Sequence, residues 1–215
     1  MTLEIKLDNT SNRNWDNDHF MHPWEGMDYL GQNDRAFIEA SDGVYIIDKA
    51  GKRLIDGPAG MWCVQVGYGR HEIADAMADQ ARKLAYFSPF NNTNSVATRF
   101  AREVAKRAPG DLNHVFFTTG GSTAVDTALR FVHFRNNLLG KPEKKKIISR
   151  QKAYHGSTYL AAAVSGKERD RLWLDKPNEL AHFLPDVNPL VRKPDQSVAD
   201  FLDEKVADLE NAILT

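Results

Sequence analysis

Apolar and polar residues alternate through RAFIEASDGVYIIDKAGKRLIDG, residues 35–57, and the alternation breaks at Asp42-Gly43 and Ala50-Gly51. A period of two interrupted by such pairs predicts a small antiparallel meander. After the glycine-rich GPAGMWCVQVGYGRH the period changes. From Glu72 to Ala85 the apolar positions Ile73, Ala76, Met77 and Ala81 recur at helical spacing. A second helix is predicted from about Ser95 to Arg107, stopped by Pro109-Gly110. HVFFTTG is continuously apolar, the pattern of a strand buried on both faces of a parallel sheet. The helix after it carries Val125, Ala128, Leu129 and Val132 on one face. KKKIISR predicts the next strand, and AYHGST a tight turn with Ser157 or Thr158 near a helix start. Prolines and charges over residues 166–196 predict a long irregular excursion. Ser197, three residues before Asp200, opens a last helix in capping-box fashion, with Val198, Phe201, Leu202, Val206, Leu209 and Ile213 on one side. Residues 1–18 are mostly polar and predict a loosely ordered arm, followed by an aromatic-rich docking segment, HFMHPWE.

A meander followed by β–α units argues an α/β main domain with a smaller N-terminal appendage. The expected division is 1–66 for the arm and meander and 67–215 for the start of the main domain. Only two strands of the main sheet are evident, and the last helix ends without a glycine cap or following strand. The pattern is that of the front part of a longer protein.

Composition removes several functions. With 215 residues and a formal net charge of −1, the chain has no electrostatic case for nucleic acid or an anionic membrane. Its one cysteine, Cys63, rules out an internal disulfide and suits a reducing compartment. The polar N-terminus does not resemble a signal peptide, and no apolar run reaches the ~20 residues of a membrane span. These features predict a soluble, cytoplasmic protein. His19 and His22 lack further ligands at metal-binding spacing and read as part of an aromatic segment, so no metal is expected. KPEKKK reads as a solvated loop.

The chemistry concentrates in two turns. A strand ending in Thr118-Thr119-Gly120-Gly121-Ser122 and opening a helix presents free backbone N–H groups where the helix dipole is positive. Glycines let the backbone approach closely, so phosphate is the natural ligand, against the alternative of a plain serine-capped turn. Neither a P-loop nor a dinucleotide fingerprint is present, since no Gly-Lys-Ser/Thr follows and the G-x-G-x-x-G spacing fails. AYHGST ends the next strand, where ligands bind in open α/β sheets. Tyr154 could stack on a flat heteroaromatic ring and His155 could orient a polar group, against the alternative of a packed tyrosine with a satisfied histidine. Phosphate turn and aromatic turn on successive strands suggest a phosphorylated aromatic cofactor.

RLIDGPAGMWCVQVGYGRHEIADA, VFFTTGGSTAVDTALRF and AYHGSTYLAA resemble consecutive blocks of the class III aminotransferases, pyridoxal-phosphate (PLP) enzymes of fold type I. The resemblance starts at HPWE and continues to the final helix, and MWCVQVGYGR most resembles the branch using ω-amino acids or amines with pyruvate. It implies that Gly121 and Ser122 hold the cofactor phosphate and that Tyr154 stacks on the pyridine ring, with His155 and Gly156 shaping the same turn. It also implies that Trp62 lines the substrate pocket, with Trp24, Tyr86 and Phe90 as further wall residues, and that the complete protein is a homodimer acting on an amine or amino acid and a keto acid. Many relatives have Ser-Gly-Ser-Glu-Ala where this chain has Gly120-Gly121-Ser122-Thr123-Ala124.

Transamination also needs a lysine to hold PLP as a Schiff base and an acidic partner for the pyridinium nitrogen. In the family both follow the region matched here, and no lysine of this chain occupies the corresponding motif. No catalytic residue is therefore assigned, Lys152 included. The expectation is the N-terminal portion of an aminotransferase. The alternatives are a non-catalytic module binding PLP or another phosphorylated ligand, or a partner subunit of a full-length relative.

Overall fold

The computed structural model describes residues 9–177 and 179–214. The chain divides into two compact units, one ending at Asn94 and one beginning at Ser95.

The first unit opens with α1 (Asn9–His19) and a 3₁₀ turn at Met27–Tyr29. The predicted arm is thus helical over its described part, and residues 1–8 lie outside the described residues. The polar helix is tied down from its C-terminal side: Asp16 meets His22 Nε2 at 2.8 Å and Arg35 at 3.7 Å. The His22 ring lies 4.1 Å from that of Phe20, so this histidine is engaged by a carboxylate and an aromatic ring.

The meander forms as its alternation predicts. β1 (Ile38–Asp42), β2 (Tyr45–Asp48) and β3 (Arg53–Ile55) pair antiparallel in that order, with Asp42 opposite Tyr45 and Tyr45 opposite Ile55. Gly43, at φ 59°, supplies the left-handed residue of the first hairpin. Asp48 Oδ1 accepts the N–H groups of Ala50 and Lys52 at 2.9 and 2.8 Å and closes the second. The short turn α2 (Ala59–Trp62) and the amphipathic α3 (His71–Leu84) complete the unit.

The second unit contains α4 (Ser95–Ala105), α5 (Gly121–Leu138), β4 (Ile147–Arg150), α6 (Tyr159–Val164), α7 (Glu168–Arg171), β5 (Ala181–Leu184), a 3₁₀ turn at Pro189–Val191 and α8 (Val198–Leu214). β4 and β5 run parallel, Ile147 beside Ala181 and Arg150 beside Leu184. Leu129 of α5, Ala163 and Val164 of α6 and Leu180 form the core, with Val125, Ile147, Leu160 and Ala181 packed against it. The alanines of α6 let helix, sheet and α5 approach closely.

Two further expectations change. HVFFTTG leads into α5 without forming a strand, and among the described residues no strand pairs with it; Phe116 is 77% exposed, and Phe117 stacks on Phe100 of α4 at 5.5 Å. A buried strand needs ladder partners on both sides, and the second strand of the sheet is instead β5. β5 lies inside the predicted irregular excursion, which also holds α7 and a 3₁₀ turn. KPEKKK is a mostly exposed loop, as expected, and it is anchored: Lys145 Nζ donates to His133 O at 3.1 Å and Asn136 donates to Lys144 O at 2.7 Å. Half of the expected capping box forms at α8: Asp200 N–H donates to Ser197 Oγ at 3.1 Å, while the Asp200 carboxylate accepts from the Ser197 hydroxyl, at 2.7 Å, rather than from its backbone N–H. No helix among the described residues is long and apolar enough to cross a membrane.

Candidate functional site

The N-terminus of α5 has no side-chain cap. Gly120 is fully extended at φ 173°, and its carbonyl receives the Ala124 N–H at 3.0 Å and the hydroxyls of Thr123 and Thr118 at 2.8 and 3.1 Å. The threonines therefore act as donors toward this carbonyl. The N–H groups that precede Ala124 in an 18-residue helix have no acceptor inside it. Aligned peptide dipoles leave a partial positive charge at this end. A Cβ on Gly120 or Gly121 would meet nothing within 4 Å, so the space over the turn is open among the described residues. Exposed donors, positive potential and glycine access together suit a phosphate.

The second turn is fastened to the first. Ser157 N–H donates to Ser122 Oγ at 3.2 Å, and Thr158 Oγ1 lies 3.2 Å from Ser122 O. Ser122 Oγ still carries its own proton for an incoming oxygen. Gly156 sits at φ 131°, and a Cβ there would lie 2.7 Å from Ser122 Cβ and 2.8 Å from Ser122 Cα. Only glycine permits this approach.

Asp126, one turn into α5, clamps the same junction, its Oδ1 accepting from Thr158 Oγ1 at 2.8 Å and from Ala161 N–H at 2.7 Å. Sequence reasoning misses Asp126, since its partners lie 32 and 35 residues away and nothing local marks it. The sequence pattern puts Thr158 only near a helix start; it is the N-cap residue of α6, though its side chain makes no cap hydrogen bond.

Tyr154 leaves this turn half exposed, at 48%, with Lys167 Nζ 5.7 Å from its ring centre. His155 N–H donates to Ser165 Oγ at 2.9 Å, and His155 Nε2 lies 3.4 Å from Ser149 Oγ. Ser149 gives its proton to Val164 O at 2.6 Å, so the imidazole is the donor in that longer contact. His155 thus braces the turn from behind through two serines. Lys152, at φ 65°, pairs with Asp186 at 2.6 Å. The hydrogen bond from Lys152 holds the Asp186 carboxyl below its usual range.

Gly121, Ser122, Tyr154, His155 and Gly156 therefore occupy two joined turns. Trp24, Trp62, Tyr86 and Phe90 belong to the unit ending at Asn94, each exposed there, at 76%, 70%, 76% and 92%. A cavity of about 360 Å³ elsewhere, between Gln151, Gly166, Arg171, Lys176 and Phe183, involves none of the expected residues. Among the described residues, no group of three or more His, Cys, Asp or Glu could hold a metal ion.

This architecture has close counterparts. The chain is similar to the putrescine–pyruvate aminotransferase of Pseudomonas aeruginosa, with 38% identity over 76% of this chain and 37% of that protein. An uncharacterized aminotransferase of Sinorhizobium fredii is 34% identical over 100% of this chain and 46% of its own length. Among solved structures, an (S)-enantioselective omega-transaminase from Thermomicrobium roseum superposes with a TM-score of 0.90 at 28% identity, over 96% of this chain and 46% of that one. The omega transaminase of Pseudomonas jessenii in complex with PMP gives 0.87 at 29% identity, over 93% and 44%. The chain thus spans between about a quarter and a half of the length of the relatives it matches. The α/β units are part of the fold type I architecture of these transaminases. Residues 29–214 match the family described as Aminotransferase class-III, a PLP-dependent family, and this chain belongs to it.

Proposed function

We propose that this chain is the cofactor-phosphate and ring-binding portion of an aminotransferase that moves an amino group from an amine or ω-amino acid to a keto acid such as pyruvate. The observation that carries this reading is the junction of the two turns through Ser122, Ser157 and Gly156. It holds an open anion-binding helix end and an accessible tyrosine ring on one small framework. PLP, when bound, supplies an electron sink for the carbon that bears the amino group.

The chain's own residues bind and orient. The Gly121 and Ser122 N–H groups and the Ser122 hydroxyl take phosphate oxygens, Tyr154 stacks on the pyridine face, and His155 and Gly156 fix the turn. Trp62, with Trp24, Tyr86 and Phe90, forms wall surface for the substrate, some of it serving the neighbouring subunit of a homodimer. The complete protein works in the cytoplasm. The putrescine–pyruvate relative supports an amine donor and pyruvate as acceptor. No lysine here stands in the family's lysine motif, and Lys152 is paired with Asp186. The isolated chain therefore binds the cofactor without transferring amino groups.

Titration of PLP into the chain, followed by absorbance, tests this, with borohydride reduction and peptide mapping on the same sample. Saturable binding without a specific lysine adduct is expected. Ser122→Ala and Tyr154→Ala each weaken binding by about fivefold or more, the worth of one hydrogen bond or one ring contact. A stoichiometric lysine adduct with amine-dependent turnover would overturn the non-catalytic assignment. Absence of saturable binding would overturn the cofactor assignment.

A further inference from the structure

Ala59, Gly60, Met61 and Trp62 hold φ angles of 48°, 60°, 55° and 67° in succession. They form one turn of left-handed helix, a conformation in which every L side chain crowds the following carbonyl. Trp62 N–H reaches Pro58 O at 2.8 Å and Cys63 N–H reaches Ala59 O at 3.1 Å, but a single turn does not sustain itself. Strained runs of this kind persist where their surroundings over-determine them, and they gather at ligand-contacting surfaces.

The restraint here is Asp56. Its Oδ2 accepts the Gly60 N–H at 2.7 Å and the Tyr68 hydroxyl, also at 2.7 Å. The hydrogen bond to Asp56 raises the Tyr68 phenol above its ordinary range, in keeping with the hydroxyl as the donor. Both Asp56 and Tyr68 are rooted in the first hairpin of the meander, Asp56 N–H on Val44 O at 2.9 Å and Tyr68 N–H on Gly43 O at 2.8 Å. At position 60, itself at φ 60°, a Cβ would lie 2.8 Å from Val64 Cγ2, so a larger residue would have to displace that methyl as well as adopt the left-handed backbone. The turn ends by presenting Trp62, 70% exposed, with its carbonyl held by Gln65 Nε2 at 3.0 Å.

We propose that Asp56 is a positioning residue: one carboxylate oxygen, shared by Gly60 and Tyr68, latches the left-handed turn and sets the direction in which Trp62 leaves the chain. The latch stands on this geometry alone. That the projected indole discriminates among amine substrates rests on the function proposed above.

Hydrogen exchange read by mass spectrometry on the full chain separates the two. Asp56→Ala removes the slow exchange of the amides from Gly60 to Val64 while the β2–β3 peptide keeps its protection. Asp56→Asn, which retains the shared acceptor oxygen, restores it. Should Asp56→Ala unfold the meander as well, Tyr68→Phe decides, raising exchange in the turn about fivefold for one lost hydrogen bond and leaving β2–β3 unchanged. Unchanged exchange in the turn of both variants would overturn the latch.

The selective role is read from the affinity ratio of two stable probes, the phosphopyridoxyl conjugates of methylamine and of 1-phenylethylamine. Trp62→Gly and Asp56→Ala are expected to move that ratio in the same direction, with Asp56→Asn at the wild-type value. A shift for Trp62→Gly with none for Asp56→Ala would overturn the positioning role. Failure of the unsubstituted chain to bind either conjugate would refute the proposed function, with exchange still deciding the latch.

Discussion

Gly156 shows how little freedom the joined turns allow. Its φ of 131° lies where side chains are strained, and any Cβ would meet Ser122 Cβ at 2.7 Å and Ser122 Cα at 2.8 Å. Either problem alone costs roughly 1–3 kcal/mol. Here the colliding atoms include Ser122 Cα, so no rotamer change relieves the clash. Gly156→Ala is expected to lower unfolding stability by about 2 kcal/mol or more, measured by urea denaturation. The phosphate turn must also move, so PLP affinity falls further than in Ser122→Ala. A variant with wild-type stability and affinity would show that the turns are not in contact. The need for a small residue at this position was legible, because Gly156 sits in a recognisable block. Its reason was not, because Ser122 is 34 positions earlier and nothing in either segment specifies the register between them. Asp126 is the stronger case: an ordinary polar residue on a helix becomes a clamp only once Thr158 and Ala161 are brought against it.

Elements were legible where periodicity was long. α3, α4, α5 and α8 and the meander follow from it, whereas β5 did not, since four residues, AHFL, between prolines carry too little alternation to read. The apolar run of HVFFTTG reads as a buried strand and does not form one, because pairing depends on neighbours that its own pattern does not contain. Charge placement behaves similarly, and HPWE illustrates it. Glu25 has a side chain only 3% exposed, met by Arg35 at 2.8 Å, by Asn33 and by His22 N–H at 3.3 Å. The hydrogen bond from Arg35 holds its carboxyl below the ordinary range, against the opposing effect of burial. A depressed carboxylate stabilises the fold above its unfolded value and loses that contribution as pH falls through the folded value. Tyr68 has the reverse sign: its raised phenol stabilises below its unfolded value and stops doing so as pH rises through the folded one. Denaturant midpoints measured from pH 7 downward are expected to fall below about pH 4.5. Glu25→Gln is expected to be less stable at pH 7 and to show a shallower acid slope. Parallel acid slopes for the two proteins would show that the Arg35–Glu25 pair does not contribute.

The whole molecule exposes far more surface than its mass accounts for. Its accessible area is 17547 Å², whereas two separate globules of half its 24.2 kDa would together expose about 12,000 Å². Much of the excess is apolar: Phe116 and Phe131 are 77% and 68% exposed, Phe134 60%, and Val206 and Ile213 of α8 63% and 65%. Among the described residues, the buried apolar set is short and half of it lies in α6, as Ala161, Ala162, Ala163 and Val164. Monomeric soluble proteins rarely leave contiguous apolar patches beyond a few hundred Å² uncovered. Among the described residues HVFFTTG has no ladder partner, so its backbone adds to that surface a template for pairing with another strand. The isolated chain is therefore expected to brighten the dye ANS strongly and to sediment as species larger than 24.2 kDa, increasingly so with concentration. Replacing Phe116 and Phe131 by serine should reduce both signals without weakening PLP binding, because neither side chain takes part in the hydrogen bonds that join the two turns. If the unsubstituted chain instead sediments as a monomer with ANS fluorescence at the level of a compact protein, these faces must be covered within the chain itself, and its apolar surface would not be free in solution.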